Sequence, residues 1–186
     1  DERITNVQCL GETLNSENIT PEEYESRYLP ACARAVREVN QTRPANLRAW
    51  LWDAGSFGNL QGIVEKRRSI SAGALQYADV VTCHIYANTK DEAVRIAREC
   101  RAMAHGKPVA VTEGNFSSGG YMSSYAKHEW WIREVMPAIE VELARGLSSS
   151  QLHLQANVFY TLVAHEKSEY NLITYINPSD PNSWIP

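Results

Sequence analysis

At 186 residues, 44% hydrophobic and 22% charged, the chain is composed like an ordinary globular domain and is long enough for one sizeable core. Its formal charge of −4 argues against a nucleic-acid partner, which needs a basic face to neutralise phosphates. No apolar run approaches the roughly 20 residues that span a bilayer, and Asp1-Glu2-Arg3 opens no signal peptide, so the chain reads as soluble with its compartment left open.

The first predicted element is a strand over Ile4 to Leu10, rich in apolar and β-branched residues, running into Gly11-Glu12-Thr13. Thr20-Pro21-Glu22-Glu23 is a helix start, with Thr as N-cap, Pro in the first turn and Glu at the capping-box position. Tyr24, Tyr28, Cys32, Val36 and Val39 continue it as one buried stripe to about Asn40, with a kink expected at Pro30. Leu47 to Trp52 is the next strand and ends at Asp53; after a Gly-rich loop, a weaker helix covers Leu60 to about Gln76. Within it Lys66-Arg67-Arg68 reads as a solvated helix turn.

Ala78 to Tyr86 is the clearest strand, and period-two alternation puts His84 and Tyr86 on one face at its C-terminal end. Thr89-Lys90-Asp91-Glu92 starts another helix, which His105-Gly106 closes. Gly106-Lys107-Pro108 then leads into Val109 to Val111, a short apolar run like a strand buried on both faces, with Glu113 standing where it ends. Asn115 to Ser124 is a loop of the kind that rims a site. A helix from Ser124 to about Arg145, kinked at Pro137 and capped by Gly146, precedes a last strand within Gln151 to Val163. A short extended piece is expected over Asn171 to Tyr175.

The order is five strands alternating with helices in one domain over residues 1–186, which implies an α/β fold with a parallel sheet and right-handed crossovers. Cys9, Cys32, Cys83 and Cys100 lack Cys-x-x-Cys spacing, so they read as four buried thiols rather than a zinc site. Asn18-Ile19-Thr20, Asn40-Gln41-Thr42 and Asn115-Phe116-Ser117 match the glycosylation sequon, as triplets in an Asn-rich chain do by chance.

Three strand ends thus carry Glu12, His84 with Tyr86, and Glu113. In a parallel α/β barrel the chemistry sits at such ends. Two carboxylates aimed at one mouth are what glycosidic cleavage asks for, one as nucleophile and its partner as proton donor. With these residues the sequence resembles the retaining glycoside hydrolases built on a (β/α)8 barrel. Gln8-Cys9-Leu10-Gly11-Glu12 is similar to that family's strand-four end, Thr82-Cys83-His84-Ile85-Tyr86 to its strand-six His-x-Tyr segment, and Val109 to Gly114 to its strand-seven end. Ser168-Glu169-Tyr170-Asn171-Leu172-Ile173 resembles the segment after strand eight.

The resemblance implies a partial TIM barrel of about five strands, the C-terminal portion from strand four to strand eight. A missing segment or another chain would complete it. It further implies a β-linked oligo- or polysaccharide substrate, no cofactor, Glu113 as nucleophile and Glu12 as acid/base, with the Tyr86 hydroxyl bonded to the Glu113 carboxylate. His84, Tyr86, Trp52 and Tyr160 are the expected substrate-binding residues. Gly11 stands where the family has Asn before the acid/base Glu, and Phe159 and Tyr160 stand where it has Trp. The alternative is therefore a glycosidase-like barrel without turnover, serving as a carbohydrate-binding or structural module. A metal-dependent hydrolase using His84 with the carboxylates is a third reading.

Overall fold

Short β-branched and aromatic runs between capped amphipathic segments give five parallel strands separated by helices: β1 (Asn6–Gln8), β2 (Trp50–Trp52), β3 (Val81–Tyr86), β4 (Val109–Asn115) and β5 (Ala156–Phe159). The structure, a computed structural model, describes residues 6–10, 18–55, 60–115, 125–152, 156–159, 163–164, 173–175 and 184–185. β1 pairs with β2, and β3 with β4 and β4 with β5, all in parallel. A parallel bridge between Trp52 and Val80 carries the order from β2 to β3, with Asp53 N donating to Val80 O at 3.2 Å. Neighbours in space are thus neighbours in sequence, and each parallel neighbour is reached by a crossover through helices. Beyond them β6 (Val163–Ala164) pairs in parallel with β7 (Ile173–Tyr175), and β7 pairs antiparallel with β8 (Trp184–Ile185).

The helices start where the capping residues stand. α1 (Pro21–Glu23) has Thr20 as its N-cap, the hydroxyl accepting from Glu23 N at 3.1 Å. The chain widens into a π-helical stretch, Tyr24–Tyr28, before α2 (Leu29–Gln41). α3 (Leu60–Ala72) and α4 (Lys90–Met103) follow, the latter capped by Thr89. His105 (φ 49°) and Gly106 (φ 86°) take left-handed conformations just past α4 and end it. α5 (Tyr125–Trp130) passes through a second π stretch, Trp131–Val135, into α6 (Met136–Ala144), and α7 (Ser149–Leu152) is a single turn.

Pro30 and Pro137 each sit second in the helix that follows a π stretch, at the two places where kinks were expected. A helix-interior proline lacks an N–H, and its ring crowds the carbonyl four residues back. Here Leu29 N reaches Tyr24 O and Met136 N reaches Trp131 O, five residues back, so a widened turn takes up the misfit.

Period-two alternation divides the sheet. Val81, Cys83 and Ile85 of β3 and Val109 and Val111 of β4 bury themselves among Ala93, Ile96, Ala97 and Cys100 of α4 and Ile139 and Leu143 of α6. Val80 and Ala110 instead meet Trp50 and Trp52 on the face away from the helices. A second cluster packs Tyr24, Leu29 and Ala33 onto Cys9, Leu51 and Ala54.

Three expectations are corrected. The four cysteines are paired rather than free: Cys9 with Cys32, and Cys83 with Cys100, at Cα separations of 6.0 and 6.6 Å. Each bridge ties a strand or its end to the following helix, which spacing in sequence cannot reveal. With partners 23 and 17 positions apart in sequence, each contributes about 3 kcal/mol by unfolded-chain entropy. Lys66 is not solvated: only Arg67 and Arg68 face water, paired with Glu99 and Glu22, while Lys66 shares the inner helix face with Ile63 and Ile70. The last strand also begins later than expected, because Gln151 N bonds Ser148 O and its side chain reaches back to Ser148, folding Gln151 and Leu152 into α7. Among the described residues no helix is long and apolar enough to cross a membrane.

Candidate active site

Unbroken alternation along β4 would send Glu113 to the same side as Val109 and Val111, toward the helices. A bulge prevents this. Cys83 pairs with Val111, but the next residue, His84, pairs with Glu113, so Thr112 is the extra residue. His84 lies on the opposite face from Cys83, and the bulge turns Glu113 onto that face beside it. There the Tyr86 hydroxyl donates to Glu113 Oε2 at 2.8 Å, and His84 Nδ1 stands 3.5 Å from the same oxygen. The His84 side chain is 2% exposed and that of Glu113 is 30% exposed, so the carboxylate rests against a buried imidazole and keeps part of its own surface in solvent.

The floor under His84 is the loop after β2. A Cβ on Gly55 would lie 2.2 Å from His84 Nε2, so the imidazole occupies space that only glycine leaves. The loop's first two residues, Asp53 and Ala54, are tied down. Lys66 Nζ donates to Ala54 O at 2.6 Å and to Asp53 Oδ2 at 3.0 Å. Asp53 Oδ1 accepts from Thr82 N at 2.6 Å. Tyr24 Oη accepts from Ala54 N at 2.8 Å and donates to Cys9 O at 2.8 Å. Asp53, Lys66, Tyr24 and Thr82 are all buried, and together they tie the ends of β1 and β2 to the body of β3. A buried ion pair is retained only where further hydrogen bonds satisfy its atoms, as they do here.

Burial pushes His84 down to about 4; the Glu113 carboxylate pulls the other way and the Lys66 ammonium adds to the depression. At neutral pH the contact to Glu113 is thus made by a neutral imidazole and is not an ion pair. Glu25 is pushed up to about 7 by burial, against the Ser69 hydroxyl that donates to its Oε1. Elsewhere, a groove of about 430 Å³ between α4 and α6 holds Glu142. Burial pushes the Glu142 carboxyl up, but bonds from Arg101 and Arg98, with Arg145 nearby, more than offset this and hold it below the usual range. That carboxylate is satisfied by its arginines.

Of the residues singled out in the sequence, the fold brings together His84, Tyr86 and Glu113. Trp52 is level with Val80, four residues before His84 on the same face of the sheet, and its Nε1 is buried with no hydrogen-bond partner among the described residues. Glu12 and Tyr160 lie outside the described residues. Among those described, no group of three His, Cys, Asp or Glu side chains is placed to hold a metal ion. Gly55 and the Asp53–Lys66 pair went unread as site residues, although Asp53 at a strand end followed by Gly55 carried the same signal as Glu12 and Glu113.

No protein-family model matches the chain, and no curated protein matches it in sequence. Solved structures do resemble it. One is a GH128 (subgroup VI) exo-β-1,3-glucanase from Aureobasidium namibiae, with a TM-score of 0.56 and 19% identity, covering 83% of this chain and 54% of that one. Another is a GH128 (subgroup IV) endo-β-1,3-glucanase from Lentinula edodes, with a TM-score of 0.56 and 19% identity, covering 86% of this chain and 55% of that one. At such identity the likeness is one of fold, and the chain spans about half the length of the structures it resembles.

Proposed function

We propose that the chain is the C-terminal part of a (β/α)8-barrel glycoside hydrolase that cleaves a β-linked glucan with retention of configuration. The observation that carries this reading is the Tyr86 hydroxyl at 2.8 Å from Glu113 Oε2, beside neutral His84, on a carboxylate that is open to solvent. A donor that fixes one carboxylate oxygen leaves the other to attack an anomeric carbon. In the first step Glu113 forms an ester with that carbon while Glu12 gives its proton to the departing glycosidic oxygen. In the second, Glu12 takes a proton from water, whose oxygen displaces Glu113. This sequence asks for carboxyl carbons about 5 to 5.5 Å apart. β-1,3-Glucan is the first substrate to try, since two proteins of similar fold are described as β-1,3-glucanases.

Gly11 before Glu12 favours a second reading, a carbohydrate-binding module without turnover. Glu113→Gln separates the two. In the full natural polypeptide carrying this chain, the enzyme reading expects β-1,3-gluco-oligosaccharide hydrolysis to vanish while calorimetric affinity persists. Hydrolysis that survives the substitution overturns the role of Glu113. A wild type that binds glucan without cleaving it supports the module.

A further inference from the structure

Three Asn-x-Ser/Thr triplets, beginning at Asn18, Asn40 and Asn115, are alike in sequence, and the fold separates them. The Asn40 amide is committed to the interior: Nδ2 donates to Ala49 O at 2.8 Å and Oδ1 accepts from Ala49 N at 2.7 Å, fastening the end of α2 to the approach to β2. A sugar on Nδ2 would break that pair of bonds. Asn115 is 0% exposed at the end of β4, and its carbonyl accepts from Ala87 N at 3.1 Å. No glycan fits there without opening the sheet. Asn18 is exposed, two residues ahead of the Thr20 cap, with a left-handed backbone (φ 53°) that asparagine tolerates. The two disulfides are of the kind that form in an oxidising compartment, and the ER lumen, where such triplets meet their modifying enzyme, is one.

We infer that Asn18 carries an N-linked glycan taken from a lipid-linked oligosaccharide pyrophosphate. Asn18 Nδ2 forms the bond to the anomeric carbon, the bond from that carbon to the pyrophosphate oxygen breaks, and the lipid pyrophosphate leaves with the electron pair. The amide gives up one proton to base. The inference stands apart from the catalytic reading, since it rests on exposure and bonding at three asparagines.

The test is secretion of the full natural polypeptide carrying this chain from a eukaryotic host behind a cleavable leader, followed by amidase deglycosylation in ¹⁸O-water and peptide mass spectrometry of the three triplets. The expected result is an ¹⁸O-labelled aspartate at position 18 alone, with the deglycosylation-dependent mobility shift lost in Asn18→Gln. Thr20→Ser, which keeps both the triplet and an N-cap hydroxyl, should retain the label. Secreted, disulfide-paired chain with bare Asn18 would overturn the inference, as would a label on Asn40 or Asn115 in folded material. Retention in the cell with Asn18 bare would overturn it too.

Discussion

Replacing Gly55 with Ala places a methyl carbon 2.2 Å from His84 Nε2, 2.9 Å from Cδ2 and 3.0 Å from Cε1. The backbone leading into Gly55 resists moving, because Ala54 is held on its N–H by Tyr24 and on its carbonyl by Lys66, and Asp53 is held by Thr82. The imidazole must therefore retreat by about 1.2 Å, the gap between that closest approach and ordinary contact at 3.4 Å. A shift of that size either drives Nδ1 into Glu113 Oε2 or breaks their 3.5 Å contact. Overpacking of this kind costs about 1 to 3 kcal/mol, and a misplacement near 1 Å costs on the order of 10²-fold in rate. Urea unfolding should show a lower midpoint at unchanged slope, and kcat on a β-1,3-gluco-oligosaccharide should fall about a hundredfold with little change in KM. Adding His84→Ala makes room for the methyl, so the double variant should recover stability over Gly55→Ala alone. A Gly55→Ala protein as stable and as active as wild type would refute the reasoning.

The buried titrating groups predict a cancellation. Unfolded His84 binds a proton below its ordinary 6.5 that the folded form refuses until about 4, so stability falls as pH drops through that window. Unfolded Glu25 loses a proton above its ordinary 4.5 that the folded form keeps until about 7, so stability falls as pH rises through that one. Each contribution is about 3 kcal/mol, and across the shared range of pH 4.5 to 6.5 they oppose. Urea midpoints should then rise with pH there in Glu25→Gln and fall in His84→Gln; parallel profiles in both would refute the assignment. Lys66→Met leaves a carboxylate at Asp53, 0% exposed, without its cation, and should cost about 3 to 5 kcal/mol; adding Asp53→Asn should restore most of it by the same unfolding measurement.

Elements whose causes are local were legible in the chain. Thr20 and Thr89 announce their helices because an N-cap acts within three residues, and both hydroxyls make the expected bonds. The five-strand order was legible because alternation of strands and helices leaves few topologies. What depended on a partner was hidden. Glu113 could be read as standing at a strand end, but the face it takes is set by a bulge in its pairing with β3. Lys66 was misread beside Arg67 and Arg68, because neighbours in sequence point to different sides of a helix. Gly55 has meaning only through the histidine across from it, and Cys9 and Cys83 only through helices 23 and 17 residues away.

The central claim is that Glu113 attacks the sugar, and covalent trapping tests it most directly. A β-glucosyl fluoride with fluorine in place of the 2-hydroxyl should load the nucleophile and release it slowly, since interactions at that hydroxyl strengthen in the transition state. Mass spectrometry should find one sugar ester, on the peptide containing Glu113, absent from Glu113→Gln. An ester on another carboxylate, or turnover of a β-glucan with no trapped ester, would contradict the account.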